Sequence, residues 1–334
     1  MALLALPVEL IDACLSPLTL NHRALAAVAR TSRLLNTCAT RILYRHLSLS
    51  AYAKNLPLIS LLSNHPHLAA HVRTFSVYLD DADPAVVPTY SDLQRALGLM
   101  TNLMSLALYV DASASWILSP PQGENSQKSD GIPSSGPAFY PRLEHLTCNF
   151  PFDAHLASFL AQTPSLISLT LSSIPSDSEL ESDPQDLPTP KCHIHIPTSH
   201  IPLLEGYTGP ADLFPTLLSR PLRAVHLSGD LALDFLSVTG APSAGGAVPP
   251  LRARDDVVTH QSRGGSIPAA GGAALQVMSA MTSEPPAELL DALALAFPNL
   301  VCLRVMTTHA MWDLPDLVRN RFPFQPRARS LTVM

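Results

Sequence analysis

The chain has 334 residues, of which 47% are hydrophobic and 14% charged, with a formal net charge of −6. That length accommodates one small domain and one larger one with enough apolar material for a core. The acidic balance argues against general nucleic-acid binding, and no run of about eighteen apolar residues exists to span a membrane. From the N-terminus, three short amphipathic helices fit within the first fifty residues. Pro7 suits a first helical position, where its missing N–H would be an orphan anyway. From it Val8, Ile11 and Leu15 fall on one face, and Pro17 closes the segment. Asn21 can cap a second helix that buries Leu25, Val28 and Ala29. Thr31 or Ser32 can cap a third, along which Leu35, Cys38, Ala39, Ile42 and Leu43 recur at helical spacing. Such a unit is too small for a large core, so its remaining apolar surface should meet something else.

These residues resemble an F-box, the adaptor-binding module of SCF-type ubiquitin ligases. The family pattern of Leu-Pro-x-Glu-Leu, then Leu and Val, then Val-x-Arg-x-x-Arg, then a closing Leu-Tyr is carried by a series of residues. They are Leu6, Pro7, Glu9 and Leu10, then Leu25, Val28, Arg30 and Arg33, then Leu43 and Tyr44. The resemblance covers residues 3–49. It departs from the pattern at Thr31-Ser32-Arg33-Leu34, where many F-boxes carry an aromatic anchor.

After this module one phrase returns: Leu, two residues, an apolar residue, one residue, another apolar residue. It reads Leu103-x-x-Leu106-x-Leu108, Leu143-x-x-Leu146-x-Cys148, Leu166-x-x-Leu169-x-Leu171, Leu222-x-x-Val225-x-Leu227 and Leu300-x-x-Leu303-x-Val305. Weaker versions start at Val72 and Ala328, and Leu203-Leu204 opens another. Pro141, Pro164 and Pro298 precede three of these by two residues, ending whatever helix came before. Helices are expected from the Ser91–Gln94 capping box, with Leu93, Ala96, Leu97 and Met100 on one face. Further helices are expected from Asp153, burying Leu156, Phe159 and Leu160, and over Leu290, Leu293, Ala294 and Phe297. Helix, turn and short strand in alternation is the rhythm of a leucine-rich repeat, whose units stack because none buries its own apolar stripe. The Asn or Cys that usually follows such a strand is missing at its usual offset, and the spacings are irregular. The expected fold is therefore a three-helix F-box (3–49) followed by an irregular leucine-rich-repeat α/β solenoid with parallel strands (50–334). Leu106, Leu146, Leu169, Val225 and Leu303 should occupy equivalent buried positions. Loops at 112–138, 173–190 and 240–273 should interrupt it, exposed and poorly ordered.

Candidate chemistry is sparse. Cys192, His193, His195 and His200 offer possible metal ligands, but His193 and His195 alternate with Ile194 and Ile196 as a half-wet strand would. No metal and no cofactor is expected, and no nucleophile elbow, phosphate loop or H-E-x-x-H helix appears. Five scattered cysteines without a C-x-x-C pair fit a reducing compartment, cytoplasmic or nuclear. The resemblance implies a non-catalytic substrate receptor. Leu6, Pro7, Leu10, Leu25 and Val28 would grip the Skp adaptor and, through it, a cullin, while the repeats hold an unknown client protein. The competing expectation is a leucine-rich-repeat interaction scaffold without a ubiquitin-ligase role, its first helices only capping the repeats.

Overall fold

The computed structural model describes residues 6–79, 87–119, 140–172, 196–231, 274–283, 286–307 and 330–333. Three helices open the chain: α1 (Val8–Leu15), α2 (His22–Ala29) and α3 (Arg33–Leu43). Pro7 stands one residue before α1 rather than inside it, and its carbonyl accepts the N–H groups of Leu10 and Ile11 at 3.0 and 3.2 Å. The expected buried stripe holds at Ile11 and Leu15, but Val8, at the helix's first position, is 38% exposed. Asn21 caps α2 by accepting the Ala24 N–H at 3.0 Å. Ser32, not Thr31, caps α3, accepting the Leu35 N–H at 3.3 Å. Ile11, Leu15, Leu25, Cys38 and Ala39 form the core of this module, with Leu6, Val28, Leu35, Ile42 and Leu43 packed against it. An Asp12–Arg41 ion pair ties α1 to α3.

The rest of the chain alternates parallel strands with helices, and it divides into compact units Met1–Leu204 and Glu205–Met334. In the first, β1 (His46–Ser50), β2 (Thr74–Tyr78), β3 (Ser105–Tyr109), β4 (His145–Cys148) and β5 (Ser168–Leu171) pair in chain order. In the second, β6 (Gly206–Pro210), β7 (Ala224–Asp230), β8 (Val277–Thr282), β9 (Cys302–Thr307) and β10 (Ser330–Val333) do the same. Helices α4 (Pro57–Asn64), α5 (Pro66–Ala69), α6 (Val87–Leu99) and α7 (Ala154–Ala161) belong to the first unit, α8 (Phe214–Leu217) and α9 (Pro286–Ala296) to the second.

One register runs through each unit. Leu47, Phe75, Leu106, Leu146 and Leu169 stand side by side, as do Tyr207, Val225, Met278, Leu303 and Leu331. Leu106, Leu146, Leu169, Val225 and Leu303, the expected column, are all buried. The register is pinned at the start of each strand, where two successive N–H groups donate to one carbonyl of the preceding repeat. Arg73 and Thr74 donate to Arg45, Met104 and Ser105 to Arg73, and Glu144 and His145 to Met104. In the second unit, Arg223 and Ala224 donate to Glu205, and Gln276 and Val277 to Arg223.

Two strands escaped the phrase. β1 lies inside the stretch assigned to the helical module, as Tyr44-x-x-Leu47-x-Leu49. β8 follows the long interruption as Leu275-x-x-Met278-x-Ala280. The missing turn asparagine is present two residues early. Asn149 accepts the Val110 N–H at 3.2 Å and donates to the Val110 carbonyl, satisfying both orphaned backbone groups of the neighbouring turn.

Two expectations are corrected. Ser91 is no cap, because α6 already begins at Val87; Pro88 in that first turn gives up an N–H with no intrahelical partner. The buried face Leu93, Ala96, Leu97 and Met100 is nonetheless as expected. The stretch from 112 is not loop at its start: Ala112–Leu118 forms a 3-10 helix started by the Asp111 side chain, with Ile117 and Leu118 buried. Residues 120–138, 173–190 and 240–273 of the expected interruptions lie outside the described residues.

Leu169→Ala should lower unfolding free energy by about 2–5 kcal/mol, the range for emptying a buried leucine site. Within the first unit, hydrogen exchange should show protection falling most in β4 and β5 and least in β1. Equal loss in all five strands would contradict stacking by neighbours.

Candidate functional site

The helical module leaves an apolar surface uncovered. Pro7, just before α1, and Leu10 and Cys14 on it follow one another at i, i+3 and i+7, so they form an exposed strip that flanks the buried stripe of Ile11 and Leu15. Leu10 is 51% exposed, and Leu20, in the turn before α2, is 97% exposed. Fully burying a leucine side chain is worth roughly 1.5–3 kcal/mol, so this face gains by meeting a partner.

The five residues expected to grip an adaptor separate into two groups. Pro7 and Leu10 are exposed and available to a partner. Leu25 is 0% exposed at the centre of the module's core, while Leu6 and Val28 pack partly against that core. Leu25 therefore holds α2 in place rather than offering a contact. Its burial follows from the close packing of three short helices, in which each contributes few side chains and the most central cannot be spared.

Cys38 lies beside the Asp12–Arg41 pair. Burial, and next the Asp12 carboxylate, push its thiol above the usual cysteine range. Cys148, on the core face of β4, is pushed up to about 12 by burial. Both thiols remain protonated and inert at neutral pH, whereas Cys14 is exposed.

A second surface is the open face of the first sheet. Along β1–β5 its side chains include Ser48, Ser76, Tyr109, Thr147 and Thr170, and no Asp, Glu, Lys or Arg of these strands lies there. Tyr78 and Tyr109 stack on it with ring centroids 4.8 Å apart and planes 8° from parallel. Such a neutral, hydroxyl-lined face can exchange hydrogen bonds with a peptide without desolvating fixed charges.

Cys192, His193 and His195 lie outside the described residues, and no group of three His, Cys, Asp or Glu among the described ones could hold a metal ion. An open cleft of about 370 Å³ is lined by Ser63, Asn64, Pro66, Arg95, Gly98 and Leu99, and the Ser63 hydroxyl donates to Asp92 Oδ1 at 3.4 Å. Among the described residues no helix is long and apolar enough to cross a membrane. No protein-family model matches the chain, and no curated protein matches it.

The thiols give a direct check on this geometry. At pH 8.5 iodoacetamide should modify Cys14 in the folded chain within minutes and leave Cys38 and Cys148 untouched until denaturant is added. Because burial raises Cys148, taking the pH to 10 should still not release it. Rapid native-state labelling of Cys38 or Cys148 would show that the cores described here are open.

Proposed function

We propose that the chain is a non-catalytic substrate receptor of an SCF-type ubiquitin ligase: an F-box protein with irregular leucine-rich repeats. The observation that supports this most is the uncovered apolar face of α1. The two apolar members of the Leu-Pro-x-Glu-Leu motif that are exposed, Pro7 and Leu10, lie on it, outside the module's own core. The Skp adaptor would cover that face and link the chain to a cullin. Leu25, Val28 and Leu6 would contribute by fixing the angles between the three helices that present it. The parallel strands that follow, with their neutral open face, would hold the client. No residue of the chain then needs to do chemistry, since holding client and conjugating enzyme together raises their effective concentration.

Titration of purified Skp adaptor onto the full chain tests the reading. Pro7→Ala with Leu10→Ala should weaken binding by about 10- to 100-fold, each factor of ten corresponding to about 1.4 kcal/mol. Folding stability should change by less than about 0.5 kcal/mol, because both residues are exposed. Adaptor binding should also shield Cys14 from alkylation. An adaptor that fails to bind the wild-type chain would instead favour a repeat scaffold without a ubiquitin-ligase role.

A further inference from the structure

The residue just before each strand occupies one repeating slot, since its carbonyl takes the two N–H groups that pin the next strand. In the second unit the slots before β6 and β7 hold Glu205 and Arg223. Gly206 stands opposite Ala224 in the register, and the preceding pair meets as an ion pair, Arg223 Nε to Glu205 Oε2, at 3.4 Å. In the first unit the slots before β1 and β2 hold Arg45 and Arg73, and His46 stands opposite Thr74 in the same way. Geometry that brings opposite charges into contact in one place sets two like charges side by side in the other. Adjacent strands lie only about 4.8 Å apart, and like charges directly opposite destabilise a sheet.

No carboxylate among the described residues pairs with either arginine; the ion pairs there are Arg41–Asp12 and Arg223–Glu205. Both guanidiniums are exposed. His46 follows Arg45 and stands opposite Thr74, with Nδ1 sharing a hydrogen bond with Thr74 Oγ1 at 3.1 Å. Burial of its ring and then the fields of Arg45 and Arg73 hold its pKa below the usual histidine range, with no carboxylate offsetting them. A chain of net charge −6 thus carries a local concentration of positive charge on adjacent strands.

We propose that Arg45 and Arg73 form an oxyanion site whose fitting ligand is a phosphate monoester dianion. Arginine binds phosphate bidentately through the paired N–H donors of its guanidinium fork, and here two such residues stand at the starts of adjacent paired strands. A dianion offsets both charges, whereas a single carboxylate offsets one. The ester could belong to a phosphorylated side chain of a bound protein, or the same oxygens could come from free phosphate. The site does not depend on the adaptor reading, since neither arginine lies on the exposed face of α1.

Calorimetry on the full chain, at ionic strength held constant with chloride, tests this with three probes. They are inorganic phosphate, a phosphoserine peptide with neutral flanks, and that peptide unphosphorylated. Inorganic phosphate and the phosphopeptide should bind saturably, and the unphosphorylated peptide at least tenfold more weakly than its phosphorylated form. Phosphopeptide binding tenfold tighter than inorganic phosphate would assign the site to a modified protein; equal affinities would assign it to free phosphate. Arg45→Glu should abolish both while leaving the melting temperature unchanged or higher, because it reproduces the Glu205–Arg223 arrangement. Arg73→Ala should weaken both at least tenfold. Absence of saturable phosphate binding by the wild-type chain would overturn the proposal. So would undiminished binding by a folded Arg45→Glu chain, or equal affinity for the two peptides.

Discussion

The structure depends on one repeated hydrogen-bond arrangement, the pair of N–H groups at each strand start that donates to a single carbonyl of the repeat before. Parallel strands joined through helices have no hairpin to set their register. A slip of one residue would turn Leu106, Leu146 and Leu169 out of the core and Ala107, Thr147 and Thr170 into it. The paired N–H groups that donate to the carbonyls of Arg45, Arg73 and Met104 fix that register. The same arrangement lines up residues that do not pack at all. It brings Glu205 to Arg223 and Arg45 to Arg73, and it lays hydroxyl-bearing residues in rows across the open face. Side chains in the core thus decide which way each strand faces, while backbone donors decide which residues become neighbours outside it.

The helical module is governed by its small size. With five buried core residues it has no surplus, and Leu25 illustrates the consequence: a residue of the motif is consumed in holding the helices together. The Asp12–Arg41 pair supplements that core by joining the first and third helices. Half-exposed Leu10 and fully exposed Leu20 are what such a module cannot bury by itself. A partner that covers them would complete the packing that three short helices leave unfinished.

Much of this was legible in the sequence because its signals were local. Asn21, Ser32 and Asp153 cap helices as their positions suggest, and the Leu-x-x-Leu-x-Leu phrase marks strands whose central residues line up in register within each unit. The misses have physical causes. β1 was hidden because Leu47 and Leu49 continue an apolar pattern that α3 had already started. β8 was hidden because Met278 and Ala280 replace the leucines while occupying their slots. Ser91 imitates a cap within a helix whose start is set upstream by Val87-Pro88. Non-local features left no trace at all. Arg220 reads as a surface residue yet is buried, with its guanidinium donating to the Thr216 carbonyl and to the Ser219 hydroxyl. Asn149 reaches a turn thirty-nine residues back in the chain. Which members of the Leu-Pro motif face outward could likewise be decided only once the three helices were packed.

Docking of an adaptor on the exposed strip of α1 can be read by hydrogen exchange on the full chain with and without purified Skp adaptor. Added protection should be confined to residues 7–20 and the adjoining part of α2, with exchange in β2–β5 and β6–β9 unchanged. Protection of the strand faces with none over α1, or no change anywhere at saturating adaptor, would contradict it.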